Sequence, residues 1–271
     1  PKEKRPGAIG WINTSGALAY SIGQPVIGFI ASLSGWRLGY LGFILPIALL
    51  GLFLSFVGLP AESRTTQPRA SRVSYLEGFG EIVRNKSAFA CLIGVVFWNA
   101  GFLSLLTYST SFYREQFVMS MPLMSILNIG RMICFIFASL VCSRLLRRYE
   151  RKSVTVVTGL LAGLSTIIFF LIPDLWISLT VSCLSYLFTG LVSVAMASLI
   201  LEQIPRLRGT MMSLYTTAGT IGMAVGGLFG GLLLVSFNYE IMGAFLGFMY
   251  IMSAAVYHFL VIDSERRVPT S

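Results

Sequence analysis

The sequence predicts an all-α protein, a polytopic bundle of transmembrane helices, on three observations. Charged residues make up only 11% of 271 positions while 55% are hydrophobic, and the mean hydropathy is +0.79. No soluble globular class has that balance. Eight apolar stretches are each long enough, at about 20 residues, to cross a hydrocarbon core of roughly 30 Å. Finally, two segments 203 positions apart are versions of each other: Arg5, Thr14, Gly16, Gly23 and Gly28 fall onto Arg208, Thr217, Gly219, Gly226 and Gly231. That period is too long for a solenoid unit, so the duplicated object is domain-sized.

The eight spans are expected near Ala8–Ala31, Leu38–Leu59, Phe89–Ser109, Met121–Val141, Val154–Ile172, Leu175–Leu201, Thr210–Val235 and Ile241–Ile262. The first is too long for a secretory signal and is followed by seven more. Charge orients them. One set of alternate loops holds Lys2, Lys4, Arg5, Arg64, Arg69, Arg72, Arg84, Lys86, Arg144, Arg147, Arg148, Arg151, Lys152, Arg206, Arg208, Arg266 and Arg267, and the opposite set only Arg37 and Arg114. The net charge of +9 therefore reads as a positive-inside pattern rather than a nucleic-acid surface, with both termini cytoplasmic.

The polar interval from Pro60 to Lys86 divides the chain. Its Pro, Ser, Thr and Arg content reads as a cytoplasmic linker, and Val73, Leu76, Phe79 and Val83 are spaced for a short helix lying on the membrane surface. Two helices precede this linker and six follow. The expected organisation is residues 1–59 as the last two helices of a first bundle, 60–86 as linker, 87–262 as a second six-helix bundle and 263–271 as a cytoplasmic tail. The repeat implies a parent of six plus six helices, of which the first four precede this chain.

Polar residues inside spans are costly and mark function. Arg131 lies nine residues beyond Pro122, some 13 Å into its helix at about 1.5 Å per residue. Asn128, three residues earlier, shares its face. Two readings stand: Arg131 meets an anionic solute group or a carboxylate of the first half, or it is satisfied within its own helix. No Asp or Glu reaches comparable depth, so a group that titrates with a coupling proton would belong to the first four helices. Cys91, Cys134, Cys142 and Cys183 have no paired spacing, and no cofactor or metal motif is present. With one histidine and no catalytic constellation, an integral membrane enzyme is disfavoured. Glycines recur at helical spacing, Gly23 with Gly28 and Gly219 through Gly231, where helix backbones can approach closely. Pro25 and Pro46 favour kinks.

These features resemble the major facilitator superfamily of secondary transporters, over the whole chain, as its fifth to twelfth helices. Ser21-Ile22-Gly23-Gln24-Pro25-Val26-Ile27-Gly28 is similar to the glycine-proline motif of the fifth helix in drug antiporters, with Gln24 and Phe29 standing where that motif has glycine. Gly35-Trp36-Arg37 is similar to the opening of the sixth helix. The loop from Ser143 to Lys152 resembles the second-half copy of the cytoplasmic Gly-x-x-x-Asp-Arg-x-Gly-Arg-Arg signature, with Arg148, Arg151 and Lys152 at its basic positions. Arg208-Gly209 and the glycines up to Gly231 resemble the eleventh helix.

The resemblance implies alternating-access transport of a small organic solute, one with an anionic group if Arg131 binds it, coupled to an ion such as the proton. The implied setting is the lipid bilayer of the cell (inner, plasma) membrane. A broad organic-solute role is preferred to dedicated drug efflux, and a non-transporting scaffold is the alternative. The family fold sets the seventh, eighth, tenth and eleventh helices around the pathway, which implicates Asn99, Ser104, Tyr108, Tyr186, Thr189, Tyr215 and Thr217 beside Arg131 and Asn128. Arg148, Arg151, Lys152, Gly23, Pro25, Gly28, Gly226 and Gly231 are implicated in conformational gating.

Overall fold

The computed structural model of the protein describes residues 35–58 and 75–262, and before them Trp11, 14–16, 18–19, 22–23, 26–27 and 29–30. Pro25 and Gly28 lie outside the described residues, as do most of the linker, Val73 and the tail. All described elements are helical. They are α1 (Trp36–Gly39), α2 (Leu45–Gly58), α3 (Tyr75–Arg84), α4 (Lys86–Gln116), α5 (Met121–Leu145), α6 (Arg151–Leu171), α7 (Leu175–Gln203), α8 (Arg208–Ser236) and α9 (Tyr239–Leu260). Among the described residues seven segments are long and apolar enough to cross a membrane, from Arg37–Gly58 to Tyr239–Leu260. Most of the first expected span, Ala8–Ala31, lies outside the described residues.

Between α1 and α2 runs a π-helical turn, Tyr40–Ile44, in which the Leu45 amide donates to the carbonyl of Tyr40. Pro46 explains it. A proline cannot donate to the residue four back and its ring crowds that carbonyl, so the preceding turn widens. No residue of α2 is buried, and its large apolar side chains are exposed on every side. A helix apolar all round is built for lipid.

From α4 to α9 the helices form one bundle. α8 and α9 both pack on α4, α9 packs on α6, α6 on α7, and α7 on α5. Helix lengths follow from caps rather than from hydropathy alone. The side chain of Asn85 accepts from the Ser87 and Ala88 amides to start α4, Asp174 accepts from Ile177 to start α7, and Asn238 accepts from Ile241 to start α9.

Small residues set the spacing. Along α8, Gly219, Gly222, Gly226 and Gly230 all face α4, meeting Asn99, the Val96 carbonyl, the Ala100 carbonyl with Ser104, and Tyr108 in turn. A Cβ at Gly226 would collide with the Ala100 carbonyl oxygen. On the other face of α4, the Tyr257 hydroxyl donates to the Cys91 carbonyl at 3.1 Å and the Ser253 hydroxyl to the Gly94 carbonyl at 2.8 Å. Lipid tails give helices no hydrophobic reason to associate, so close backbone approach and such hydroxyl bonds carry the cohesion.

One end of the bundle is knotted by polar groups. The Ser87 hydroxyl donates to Gln203 Oε1 at 2.7 Å and accepts from the Ile262 amide at 2.9 Å. Gln203 Nε2 donates to the Ile262 carbonyl at 3.2 Å. The starts of α4 and the ends of α7 and α9 are thereby joined. α3 docks at the same end: Ile82 is fully buried in the core cluster shared by α4, α7, α8 and α9, Glu81 pairs with Arg206 at 2.5 Å, and Phe79 and Val83 stay exposed.

Candidate functional site

Arg131 is wholly buried, the largest fully buried side chain among the described residues. Its guanidinium lies over the rings of Tyr113 and Tyr186, 5.3 Å from each centroid. Nη2 donates to Asn128 Oδ1, the partner expected from the i, i+3 spacing. Asn128 Nδ2 in turn approaches the Thr110 hydroxyl at 3.5 Å, and both residues are half-buried, so a short polar chain runs from the enclosed charge to the bundle surface. Nε and Nη1 have no hydrogen-bond partner among the described residues.

The energetics of this arrangement are unbalanced. Removing a cation from water costs several kcal/mol even after relaxation, while each aromatic ring returns about 0.5–2 kcal/mol. Two rings and one amide therefore leave a residue of unmet electrostatic demand. No carboxylate forms an ion pair with Arg131 among the described residues; the pairs found there are Arg151–Glu202 and Arg206–Glu81.

Three helices supply the enclosure. Tyr113 comes from the last turn of α4, and its hydroxyl donates to Ser182 at 3.3 Å and accepts from Ser178 at 3.5 Å on α7. Ser178, Ser182, Ser185 and Thr189 are all fully buried along one face of α7. Ser185 bonds Thr166 of α6 at 2.7 Å, and the Thr189 hydroxyl reaches Tyr250 of α9 at 3.3 Å. Aromatic contacts extend the enclosure from Tyr186, edge-on to Phe102, to Phe135 and Trp98, which both stack on Phe102. Arg131 lies ten residues beyond Met121, the first residue of α5, about 15 Å along the helix at about 1.5 Å per residue.

The structure brings Arg131, Asn128 and Tyr186 together. The other pathway candidates lie elsewhere. Asn99, buried, donates to the Val95 carbonyl of its own helix at 3.1 Å and rests against Gly219. Tyr108 donates to the Gly227 carbonyl at 2.6 Å, across the α4–α8 seam. Tyr215 is half-buried beside the core, and Thr217 is exposed with its hydroxyl on the Ser213 carbonyl at 3.0 Å. Thr217 belongs to an exposed row of Ser213, Thr216, Thr217 and Thr220, each bonded to the carbonyl four residues back.

Among the gating candidates, Arg151 opens α6 and pairs with Glu202 at the end of α7, largely shielded from solvent. Arg148 is exposed in the turn before it, and Lys152 is half-buried. Gly226 lies in the α4–α8 seam and Gly231 beside the Tyr108 hydroxyl, while Gly23, among the described residues, meets only the Phe43 ring, at 3.9 Å. Tyr113, Thr110, Ser178 and Ser182 were missed by sequence reasoning. The serine row was visible in principle, since 178, 182, 185 and 189 keep helical spacing. Tyr113 stands beside Arg114, beyond the apolar stretch that marked its helix.

The family model described as Major Facilitator Superfamily matches residues 1–130 and, in a second alignment, 112–271. No curated protein matches the chain. With its membrane-length helices, this integral membrane protein belongs to the major facilitator superfamily, a family of membrane transporters.

Proposed function

We propose that this protein serves secondary active transport of a small organic solute with an anionic group, by alternating access, and that Arg131 receives that group. The observation carrying this reading is the buried guanidinium whose Nε and Nη1 lack partners, and which pairs with no carboxylate, among the described residues. Buried charge in a membrane bundle marks pathways. The solute's anion enters by displacing Asn128, the half-buried link between Arg131 and the bundle surface. Tyr113 and Tyr186 hold the guanidinium plane in place and offer apolar ring faces to the solute's organic part.

In this reading the chain contributes helices five to twelve of a six-plus-six fold, with residues 60–86 as the linker and both termini in the cytoplasm of a plasma (inner) membrane protein. The positive-inside pattern supports that orientation. A coupling proton would need a carboxylate in the first half, because arginine keeps its charge. Rocking about a central site needs both halves of such a fold. The Arg151–Glu202 pair, Arg148 and Lys152 gate the cytoplasmic end, and the α4–α8 glycine seam transmits the movement.

A second reading is favoured by the two-ring cage itself: Arg131 acts as an internal clamp between α4, α5 and α7 in a non-transporting scaffold. Thermal unfolding of the purified protein separates the two. Organic anions such as benzoate, each paired with its neutral amide, should raise the midpoint of the wild type and leave Arg131→Met unmoved. If no anion stabilises the wild type, or the variant responds equally, the transport role of Arg131 is lost and the clamp remains.

A further inference from the structure

The end of α5 carries a feature that goes beyond the gating role proposed for Arg148. The helix closes in a tight turn, with the Arg147 amide on the Arg144 carbonyl at 3.3 Å and the Arg148 and Tyr149 amides both on the Leu145 carbonyl at 3.0 Å. This turn gathers three guanidinium groups at one place. A groove of about 560 Å³ opens there, lined by Val141, Arg144, Leu145, Arg147, Arg148 and Tyr149. All three arginines are exposed, and neither ion pair found near this end, Arg151–Glu202 or Arg206–Glu81, involves any of them. Glu150, the carboxylate next in sequence, does not line the groove.

Position selects the occupant. α5 is long and apolar enough to cross a membrane and ends at Leu145, so the groove, with Val141 and Leu145 as its apolar floor beside the arginines and Tyr149, falls at the end of a spanning helix, where headgroups lie. The carbonyl end of a helix repels anions weakly, by about half an elementary charge, and three guanidinium charges exceed that several-fold. Guanidinium forks suit phosphate oxygens, and tyrosine suits the interface. We propose that this groove binds the phosphate headgroup of an anionic phospholipid, with an acyl chain along Val141 and Leu145. A soluble phosphate would use the arginines but would gain nothing from the apolar floor. The inference is independent of which solute is carried.

The test is a lipid titration of the detergent-purified protein, read by native mass spectrometry, with phosphatidylglycerol, phosphatidylcholine and inorganic phosphate as probes. Phosphatidylglycerol should be retained over phosphatidylcholine, and added salt should weaken it. Each basic residue near an anionic headgroup is worth about a fivefold gain, so the Arg144→Gln/Arg147→Gln/Arg148→Gln variant should bind roughly a hundredfold more weakly. The corresponding triple lysine variant keeps charge and should retain most of the binding, and Arg84→Gln/Lys86→Gln should match the wild type. Equal affinity for both lipids, an unaffected glutamine variant, or a lysine variant as weak as the glutamine one would each overturn the proposal. Displacement of the lipid by an equal concentration of inorganic phosphate would assign the groove to a soluble anion, and would equally overturn it.

Discussion

Gly226 of α8 lies so close to the carbonyl of Ala100 in α4 that no side-chain carbon fits between them. Gly227, one position on, has open space where a Cβ would stand. Gly226→Ala should therefore cost about 1–3 kcal/mol by forcing the two helices apart. Gly227→Ala should be neutral or slightly stabilising, since alanine loses less conformational freedom in a helix. Unfolding midpoints of the two variants in the same detergent check the contrast; equal losses would mean that the seam does not set helix spacing.

Arg131→Met tests what the buried charge does for the fold. Replacing a buried, incompletely paired ion by an apolar side chain of similar length is often neutral or stabilising by about 1–4 kcal/mol. The variant should unfold at or above the wild-type temperature while losing solute flux in the intact transporter. A strongly destabilised Arg131→Met would instead show that the Tyr113–Arg131–Tyr186 sandwich holds the helices together.

The Arg151–Glu202 pair is mostly withdrawn from solvent, with side-chain exposures of 12% and 15%. A double-mutant cycle with Arg151→Ala and Glu202→Ala should give a coupling of about 1.5–3 kcal/mol, the range for charge-assisted bonds. High salt should reduce it little, because buried pairs are weakly screened. A coupling below the noise of the cycle would remove the pair as a clasp between α6 and α7.

For α3, apolar burial outweighs charge. The Arg206–Glu81 pair has side-chain exposures of 71% and 33% and should couple by about 0–1 kcal/mol. Ile82, fully buried, should cost about 2–5 kcal/mol on truncation to alanine. Ile82→Ala should release α3 and speed proteolytic cleavage near Tyr75, whereas Glu81→Ala should leave the cleavage rate nearly unchanged.

Much of this architecture was legible because a membrane forbids unpaired backbone groups, so long apolar runs have to be helices. The runs record depth in lipid, however, and not helix length. Phe89–Ser109 marks the apolar part of α4, yet the helix starts at Lys86 under the Asn85 cap and continues through Arg114 and Glu115 to Gln116. A helix at the end of the linker was legible from Leu76, Phe79 and Val83; Gly78 and Gly80 do not break it, and Gly78 is buried. At the candidate site, the Arg131–Asn128 bond follows from local spacing. Tyr113, Ser178 and Ser182 do not, because no short-range pattern tells which faces of α4 and α7 adjoin α5. The π-helical turn before Pro46 also escaped, since a missing donor can be relieved by a kink or by a wider turn.

The exposed hydroxyl row of α8 has one more consequence. Ser213, Thr216, Thr217 and Thr220 have already committed their protons to carbonyls of their own helix. What they show outward is lone pairs and methyl or methylene carbon, a surface that water wets only loosely. Drying such a surface strands no donor, and rewetting it breaks no bond to a neighbour. The cost of drying a helix face of this kind is confined to the water lost from those lone pairs.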